Sequence, residues 1–472
     1  MTLPRRSAAQ EVWSVAAVAL LLRLALIWAY PPVFGGDSVL RLANADRVLL
    51  SYQLPALQTL VYLCAKVDGL LLTRVVIALI AAVASAGVYR MARRILPRRG
   101  AYAVGLLFAV NPFIATYSIV PYQEILMLGA LAWAFAWRWE GRPGLACAAL
   151  ALACWTRYEA WLAVPVFLLA ELRAHGVRSS GFWQRVALYS WAPVLWIAVR
   201  GGLTPEGSFA LDSGLTPERF HRWLYLAWIA VKNTPVPALA AAAWGAACLF
   251  RLPARTRPRW VELGLLTALF LVAILFSAHG ERDDPDRWVT AREAHLLLTG
   301  GALLGGLGLS RLRRGRRLLL TAGVLAGIAM SRTAVVRETA EPRVLLSYDA
   351  ALWLDEHVGD EETVLVVGRP IPQDQLERYF RIVGDRAQAE ANLRRIYATP
   401  PDHQRILVQS RLGRERLFDL STLPVGLAPD WVVQWSDAPL PEARLLGGSP
   451  ETQVEAGGVH VEIRRREVTP PR

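Results

Sequence analysis

The chain has 472 residues, of which 54% are hydrophobic, with a formal net charge of +13 and a mean hydropathy of +0.31. That is too apolar for an ordinary soluble globule, and its basic residues are dispersed between apolar runs, which argues against a nucleic-acid surface. The 4 cysteines (Cys64, Cys147, Cys154 and Cys248) lie in apolar stretches, so neither a disulfide framework nor a metal-ligand pattern is expected, and no cofactor is implied.

In chain order, apolar runs fall at Val12–Tyr30, Leu70–Tyr89, Tyr102–Ile119, Val186–Val199, Pro235–Phe250, Trp260–Phe276, Ala294–Leu309 and Leu318–Met330. Several approach the roughly 20 residues that cross about 30 Å of hydrocarbon. The expected fold class is an α-helical polytopic membrane protein of about eleven transmembrane helices, counting the shorter segments between these runs. The first run is too long for a removable signal peptide and has no small-residue cleavage site, and no barrel alternation is visible. Arg23 sits inside that run, about seven residues or roughly 10 Å from its outer end, and is expected to snorkel.

Residues 1–335 hold 35 Arg and Lys against 17 Asp and Glu, a net of +18, whereas residues 336–472 hold 17 against 22, a net of −5. The excess lies in short connectors such as "YRMARRILPRRG", "FRLPARTRPRW" and "SRLRRGRR", which the positive-inside rule assigns to the cytoplasm. The other connectors then face outward: Pro31–Asp68, Pro121–Glu124, Thr156–Glu159, Arg200–Thr234, Ser277–Glu293 and everything C-terminal to the spans. Gly144–Ala170 is interrupted only by "TRYE" and reads as two short helices meeting at the outer side. "GLTPE" at Gly202–Glu206 and again at Gly214–Glu218 reads as two short helix starts, with Thr as N-cap and Pro at the first helical position.

After Met330 the pattern changes. "YDAALWLDEHVG" reads as an amphipathic helix ended by Gly359, and "ETVLVVG", "RILVQS", "DWVVQW" and "VHVEIRR" read as short strands. The expected organisation is a transmembrane domain at 1–335, with outer-face juxtamembrane helices at about 37–67, and a soluble extracytoplasmic α/β domain at 336–472.

Ionisable residues collect at the outer ends of the apolar runs. Asp37 follows "GG", which lets the chain bend as it leaves the first span. Arg41 and Arg47 fall in a short amphipathic segment suited to the membrane interface, where anchoring to headgroups is one reading. Glu124 lies in "SIVPYQEILMLG", Arg157 and Glu159 flank a tyrosine in "CWTRYEAW", and Arg292 and Glu293 begin a span after Arg287 in "DRWVTAREAHLLL". Charged groups brought to one membrane depth by separate connections face a water-filled cavity or one another, and an Arg157–Glu124 ion pair is the structural alternative to a functional role. His295 reads as a structural histidine, and Gly301 with Gly305 as a helix-packing pair.

The series "GGDSVLRLANADRVLLSYQLPALQTLVYL", "TRVVIALIAAVASAGVYRMARRIL", "NPFIATYSIVPYQEILMLGALAWAF", "LACWTRYEAWLAVP" and "DRWVTAREAHLLLTGGALL" resembles the GT-C glycosyltransferases. The similarity is to the bacterial type akin to protein mannosyltransferases and lipid A arabinosyltransferases, and covers about Val12 to Leu309. The resemblance implies a polyprenyl-phosphate-linked sugar donor, an acceptor outside the cytoplasm (glycan, lipid or protein) and a multi-pass location in a bacterial inner membrane. It places Asp37 and Glu124 at the family's acidic positions. Where many relatives carry a second acidic residue after the first, this chain has Ser38.

The chemistry such a transfer needs accounts for the same residue types. An acceptor hydroxyl attacking a sugar carbon needs a nearby base, for which Asp37 is the candidate. A lipid-phosphate leaving group needs cationic donors, with Arg292 first and Arg287 or Arg157 as substitutes. Glu124 would orient acceptor or sugar hydroxyls, and Glu159 and Arg41 complete the candidate substrate-binding set. The competing class is a lipid-linked sugar flippase or secondary transporter, which predicts ionisable residues near mid-membrane or broken helices in two matching halves.

Overall fold

The computed structural model describes residues 8–49, 54–199, 220–276, 294–312, 314–367, 401–419, 423–424, 427–435, 450–456 and 459–465. Both "GLTPE" segments and Arg287, Arg292 and Glu293 lie outside these residues. The helices run α1 (Ala8–Ala29), α2 (Gly36–Ala43), α3 (Pro55–Ala65), α4 (Gly69–Ala92), α5 (Arg98–Ala109), α6 (Pro112–Thr116), α7 (Gln123–Trp139) and α8 (Pro143–Cys154). They continue through α9 (Ala163–His175), α10 (Ser180–Val199), α11 (His221–Lys232), α12 (Val236–Cys248), α13 (Arg257–Phe276), α14 (His295–Arg311), α15 (Arg316–Thr339) and α16 (Pro342–His357). The chain divides into two compact units, one of Met1–Ala29, Tyr52–Leu60 and Arg74–Ala334, the other of Tyr30–Ser51, Val61–Thr73 and Val335–Arg472.

In the first unit, among the described residues, 4 helices are long and apolar enough to cross a membrane: α1, α4, α13 and α15. Large apolar side chains stay exposed on α1 (Trp13, Leu21, Trp28) and α15 (Leu318, Leu325), as befits helices that are apolar all round and face hydrocarbon. As expected, the Gly144–Ala170 region is two short helices: α8 ends at Cys154, and a 3-10 turn at Tyr158–Leu162 leads into α9.

The run expected to span from Tyr102 to Ile119 is broken. Pro112 has no N–H, so α5 stops at Ala109, and Asn111 starts α6 by accepting Ile114 N at 3.1 Å. Carbonyls freed in apolar surroundings must find donors within the protein. Arg23 Nη1 donates to Ala109 O at 2.8 Å and Ala19 O at 2.9 Å, its Nε donates to Ser118 Oγ at 2.6 Å, and Ser331 Oγ donates to Val110 O at 3.3 Å. Arg23 is fully buried. It therefore does not snorkel: the break offers its guanidinium more hydrogen bonds inside the bundle than it would make along the lipid face.

At the arginine-rich end, the connector arginines also act as clamps. Glu140, just past α7, takes Arg90 Nη2 and Arg94 Nη2 from the end of α4, each at 2.6 Å. The hydrogen bond from Arg90 outweighs the cost of burial and, with Arg94, holds the Glu140 carboxyl down at about 2. Arg138 pairs with Glu262 on α13, whose carboxylate also accepts Trp139 Nε1 at 2.7 Å.

The second unit holds a five-stranded sheet of β1 (Val364–Val367), β2 (Leu417–Phe418), β3 (Trp431–Trp435), β4 (Thr452–Ala456) and β5 (Val459–Arg465), in the order β2-β1-β3-β5-β4. β1 lies parallel to β2 and β3, and β5 antiparallel to β3 and β4. Leu346, Ala350 and Leu354 of α16 pack with Ile406 onto Val364, Val433, Trp435 and Ile463. "RILVQS", expected as a strand, instead lies in helix α17 (Pro401–Gln409) and the residue after it. The run is too short for its period to discriminate; Pro401 starts a helix, and Ile406 buries with His403 one turn before it. In the same unit α2 packs on α17, with Val33 N donating to Gln409 Oε1 at 3.0 Å and Arg414 pairing with Asp46 at 3.3 Å.

Glycines decide the closest helix approaches of the first unit. A Cβ on Gly308 of α14 would run into Ala241 O of α12, one on Gly245 into Leu304 O, and one on Gly306 would lie 2.6 Å from Gly100 O of α5. Gly305 is in tight contact with Leu107, but Gly301 has open space beside it, so the expected Gly301–Gly305 packing pair holds only at Gly305. Gly308→Val should destabilise the protein by about 1–3 kcal/mol or more through overpacking. Gly300→Ala, where nothing lies within 4 Å, should instead be neutral or slightly stabilising. Thermal unfolding in detergent reads the contrast, and equal midpoints would refute it.

Candidate active site

The buried polar centre of the first unit is assembled from the start of α7 and the turn after α8. Pro121 and Tyr122 end the preceding connector, and Tyr122 packs edge-on against Tyr117 at 5.0 Å, itself 4.7 Å from Phe113 of α6. Arg74 Nε donates to Ile119 O at 2.9 Å, holding the same connector to α4. Glu124 therefore enters α7 in its first turn, where the helix dipole favours a carboxylate, and is buried. From the other side, Trp155 O accepts Ala56 N of α3 at 3.0 Å, which ties the "TRYE" turn in place.

Arg157 joins the two sides. Its Nη1 binds Glu124 Oε1, its Nη2 binds Glu159 Oε1, and its Nε donates to both Glu159 oxygens at 3.0 Å. Its planar fork thus serves two carboxylates from different helices, which a lysine could not do with the same geometry. Burial opposes ionisation of Glu159, but Arg157, aided by His295, prevails and holds the carboxyl at about 2. His295 is buried at the start of α14, with its ring 5.9 Å from that of Phe270 on α13. Next to Arg157 in sequence, Tyr158 receives Trp196 Nε1 of α10 on its hydroxyl at 3.2 Å and stacks edge-on with Trp161 at 5.1 Å.

The structure thus brings together Glu124, Arg157 and Glu159. Asp37 and Arg41 belong to the second unit, both on α2. Gly35, with φ of +80°, makes the bend before the helix, as the "GG" pair anticipated, and Asp37 is half-buried in the first turn. Ser38, the residue after Asp37, donates to Phe34 O and to Gly35 O at 2.9 Å, so its hydroxyl serves the helix start. Arg41 is only 1% exposed. That corrects the headgroup-anchor reading for this residue: it lies on the buried face of α2. Arg47 is exposed, 3.7 Å from Asp46. No cluster of three or more His, Cys, Asp and Glu side chains suited to a metal occurs among the described residues. Sequence reasoning missed Trp196, Tyr158 and Arg74; a lone Trp or Tyr in an apolar run carries no local signal of what it will touch.

The fold is shared nearly end to end with a solved structure. ArnT from Cupriavidus metallidurans bound to undecaprenyl phosphate superposes with a TM-score of 0.62 at 16% identity, covering 98% of this chain and 99% of that one. This chain has the fold of that ArnT. The apo form of the same ArnT gives a TM-score of 0.57 at 16% identity over 97% and 98% of the two chains. The oligosaccharyltransferase from Archaeoglobus fulgidus overlaps more loosely, at 0.44 and 14% identity over 75% of this chain and 62% of that one. No protein-family model matches the sequence, and no curated protein does. Within this fold, the Glu124–Arg157–Glu159 cluster sits at the helix ends away from the arginine-rich connectors.

Removing Arg157 would leave two carboxylates without their shared cation. Arg157→Met should destabilise the protein by about 3–5 kcal/mol, with partial recovery when Glu124→Gln is added. Chemical unfolding of the purified variants measures both. A single variant as stable as wild type would show that the fork contributes nothing to folding.

Proposed function

We propose that this chain is an integral-membrane glycosyltransferase that moves a sugar from a polyprenyl-phosphate donor to an acceptor hydroxyl on the outer face of the membrane. The observation that carries the reading is the buried Glu124–Arg157–Glu159 cluster, at one end of a helical unit whose fold matches ArnT along its length. In this reading about eleven segments cross the bilayer, the arginine-rich connectors face the cytoplasm, and the sheet-bearing C-terminal region lies outside.

The acceptor oxygen attacks the sugar carbon as the bond from that carbon to the phosphate oxygen breaks. Asp37 takes the hydroxyl proton, and the polyprenyl phosphate leaves with the electron pair of the broken bond. Because Arg157 is already shared by two carboxylates, the leaving phosphate falls to Arg292 and Arg287, whose guanidinium groups hold its charge bidentately. Glu124 and Glu159, fixed by Arg157, accept hydrogen bonds from sugar or acceptor hydroxyls, and Arg41 supports α2 beneath Asp37. The transporter alternative expects ionisable residues near mid-membrane or broken helices in two matching halves; the break between α5 and α6 has Arg23 buried beside it, but its donors close helix carbonyls there, which gives that arginine a structural task.

Asp37→Asn should lower transfer per folded molecule by about 10²–10⁴-fold with donor binding intact, whereas Arg292→Ala should weaken donor binding itself. An Asp37→Asn protein that transfers normally would remove the residue from the base role. Orientation has its own test: a cysteine at Gln453 should react with an impermeant reagent in intact cells, and one at Arg255 only after lysis. The reverse pattern would overturn the topology.

A further inference from the structure

Between α7, α13 and α14 the first unit contains an apolar groove of about 680 Å³. Its wall on α13 runs from Arg257 to Leu271, about 21 Å at helical rise, more than the roughly 15 Å of one leaflet's hydrocarbon. Open space lies beside the glycines that line it: a Cβ added at Gly264, Gly300 or Gly301 would meet nothing within 4 Å. Its two threonines turn their hydroxyls to their own helices, Thr267 to Leu263 O at 3.0 Å and Thr299 to His295 O at 2.9 Å. The interior thus makes no polar demand on an occupant.

One end differs. There Arg257 and Trp260, one turn apart on α13, line the groove. Trp260 Nε1 is buried with no hydrogen-bond acceptor, and Arg257 has no ion pair among the described residues. The nearby charges are also cationic: Arg251 and Arg255 are exposed, and Arg311 Nη2 donates to Arg251 O at 3.3 Å. Glu262, the acid on the same helix, is occupied by Arg138 and Trp139. A buried donor without an acceptor is costly unless a ligand supplies one.

The geometry points to a binding site for an anionic diacyl phospholipid. One acyl chain lies along the groove past Gly264 and Gly301, and the phosphate oxygens accept from Arg257 and Trp260. This end of α13 and α14 is the arginine-rich one, opposite the Glu124 and His295 ends, so a lipid held there cannot present its phosphate to the carboxylate cluster. It is a structural lipid of the leaflet that faces the arginines, separate from any sugar donor. The site requires a membrane-embedded helical unit but not the transferase reading, and its test uses no turnover.

Full-length protein is equilibrated with vesicles of phosphatidylglycerol, of phosphatidylcholine, or of phosphatidylcholine carrying undecaprenyl phosphate, and retained lipid is counted by native mass spectrometry. Phosphatidylglycerol should be retained about fivefold or more over phosphatidylcholine, the preference expected for each arginine at an anionic headgroup. Arg257→Gln should abolish the preference, Trp260→Phe should reduce it, and Gly264→Leu should lower retention of both phospholipids by filling the groove. Arg257 is exposed, so that variant carries the test even if Gly264→Leu fails to fold. Equal retention of the two phospholipids, or a preference unchanged in Arg257→Gln, would overturn the proposal. So would undecaprenyl phosphate displacing phosphatidylglycerol one for one, which would give the groove to a donor tail.

Discussion

A polar group inside an apolar helical unit must be satisfied by the protein itself, because hydrocarbon offers it nothing. The shared guanidinium of Arg157 is where that constraint bears hardest. Without it, Glu124 and Glu159 would be two like charges held near each other in poor solvent; with it, α7 and the turn after α8 are joined at a fixed spacing. Tyr158, beside Arg157 in the same turn, is held in its place by Trp196 of α10. The ionised state of Glu159 follows from its join to Arg157.

Arginine solves the same problem elsewhere in the unit. Arg23 fills the break between α5 and α6 with donors to Ala109 and Ser118, Arg138 binds Glu262, and Arg90 with Arg94 clamps Glu140. Only two lysines, Lys66 and Lys232, stand among the 52 basic residues. A planar fork with several donors can bridge two helices or two carboxylates, whereas an ammonium is a single strongly hydrated point charge. The connector arginines therefore act structurally: their hydrogen bonds to Glu140 and Glu262 hold the ends of neighbouring helices together.

In the second unit the ordering principle is the burial of an apolar core. The sheet is covered by α16 and α17 around Trp435, Val433 and Ile463, and α2 packs on α17. Asp37 and Arg41 are thereby carried on a helix that belongs to the same compact unit as the C-terminal sheet, although nearly the whole chain separates them in sequence. The segment after the first span does not behave as a free interfacial helix: its arginine is turned inward, and its serine is used to start the helix.

Much of this protein was legible in the residues alone. Apolar runs of the right length set most of the long helices, "GG" before Asp37 marked the bend, "TRYE" marked the interruption of the Gly144–Ala170 run, and β-branched runs at Val364, Trp431 and Val459 became strands. These are local properties, fixed by period, composition and backbone sterics within a few residues. The tertiary structure alone decided which arginine meets which carboxylate, that Arg23 turns inward to a broken helix, that "RILVQS" is helical, and that Gly301 lines a groove while Gly308 touches a backbone. Each of these depends on groups brought together from distant parts of the chain, where the energy of a contact is set by the partner's position and no local pattern encodes it.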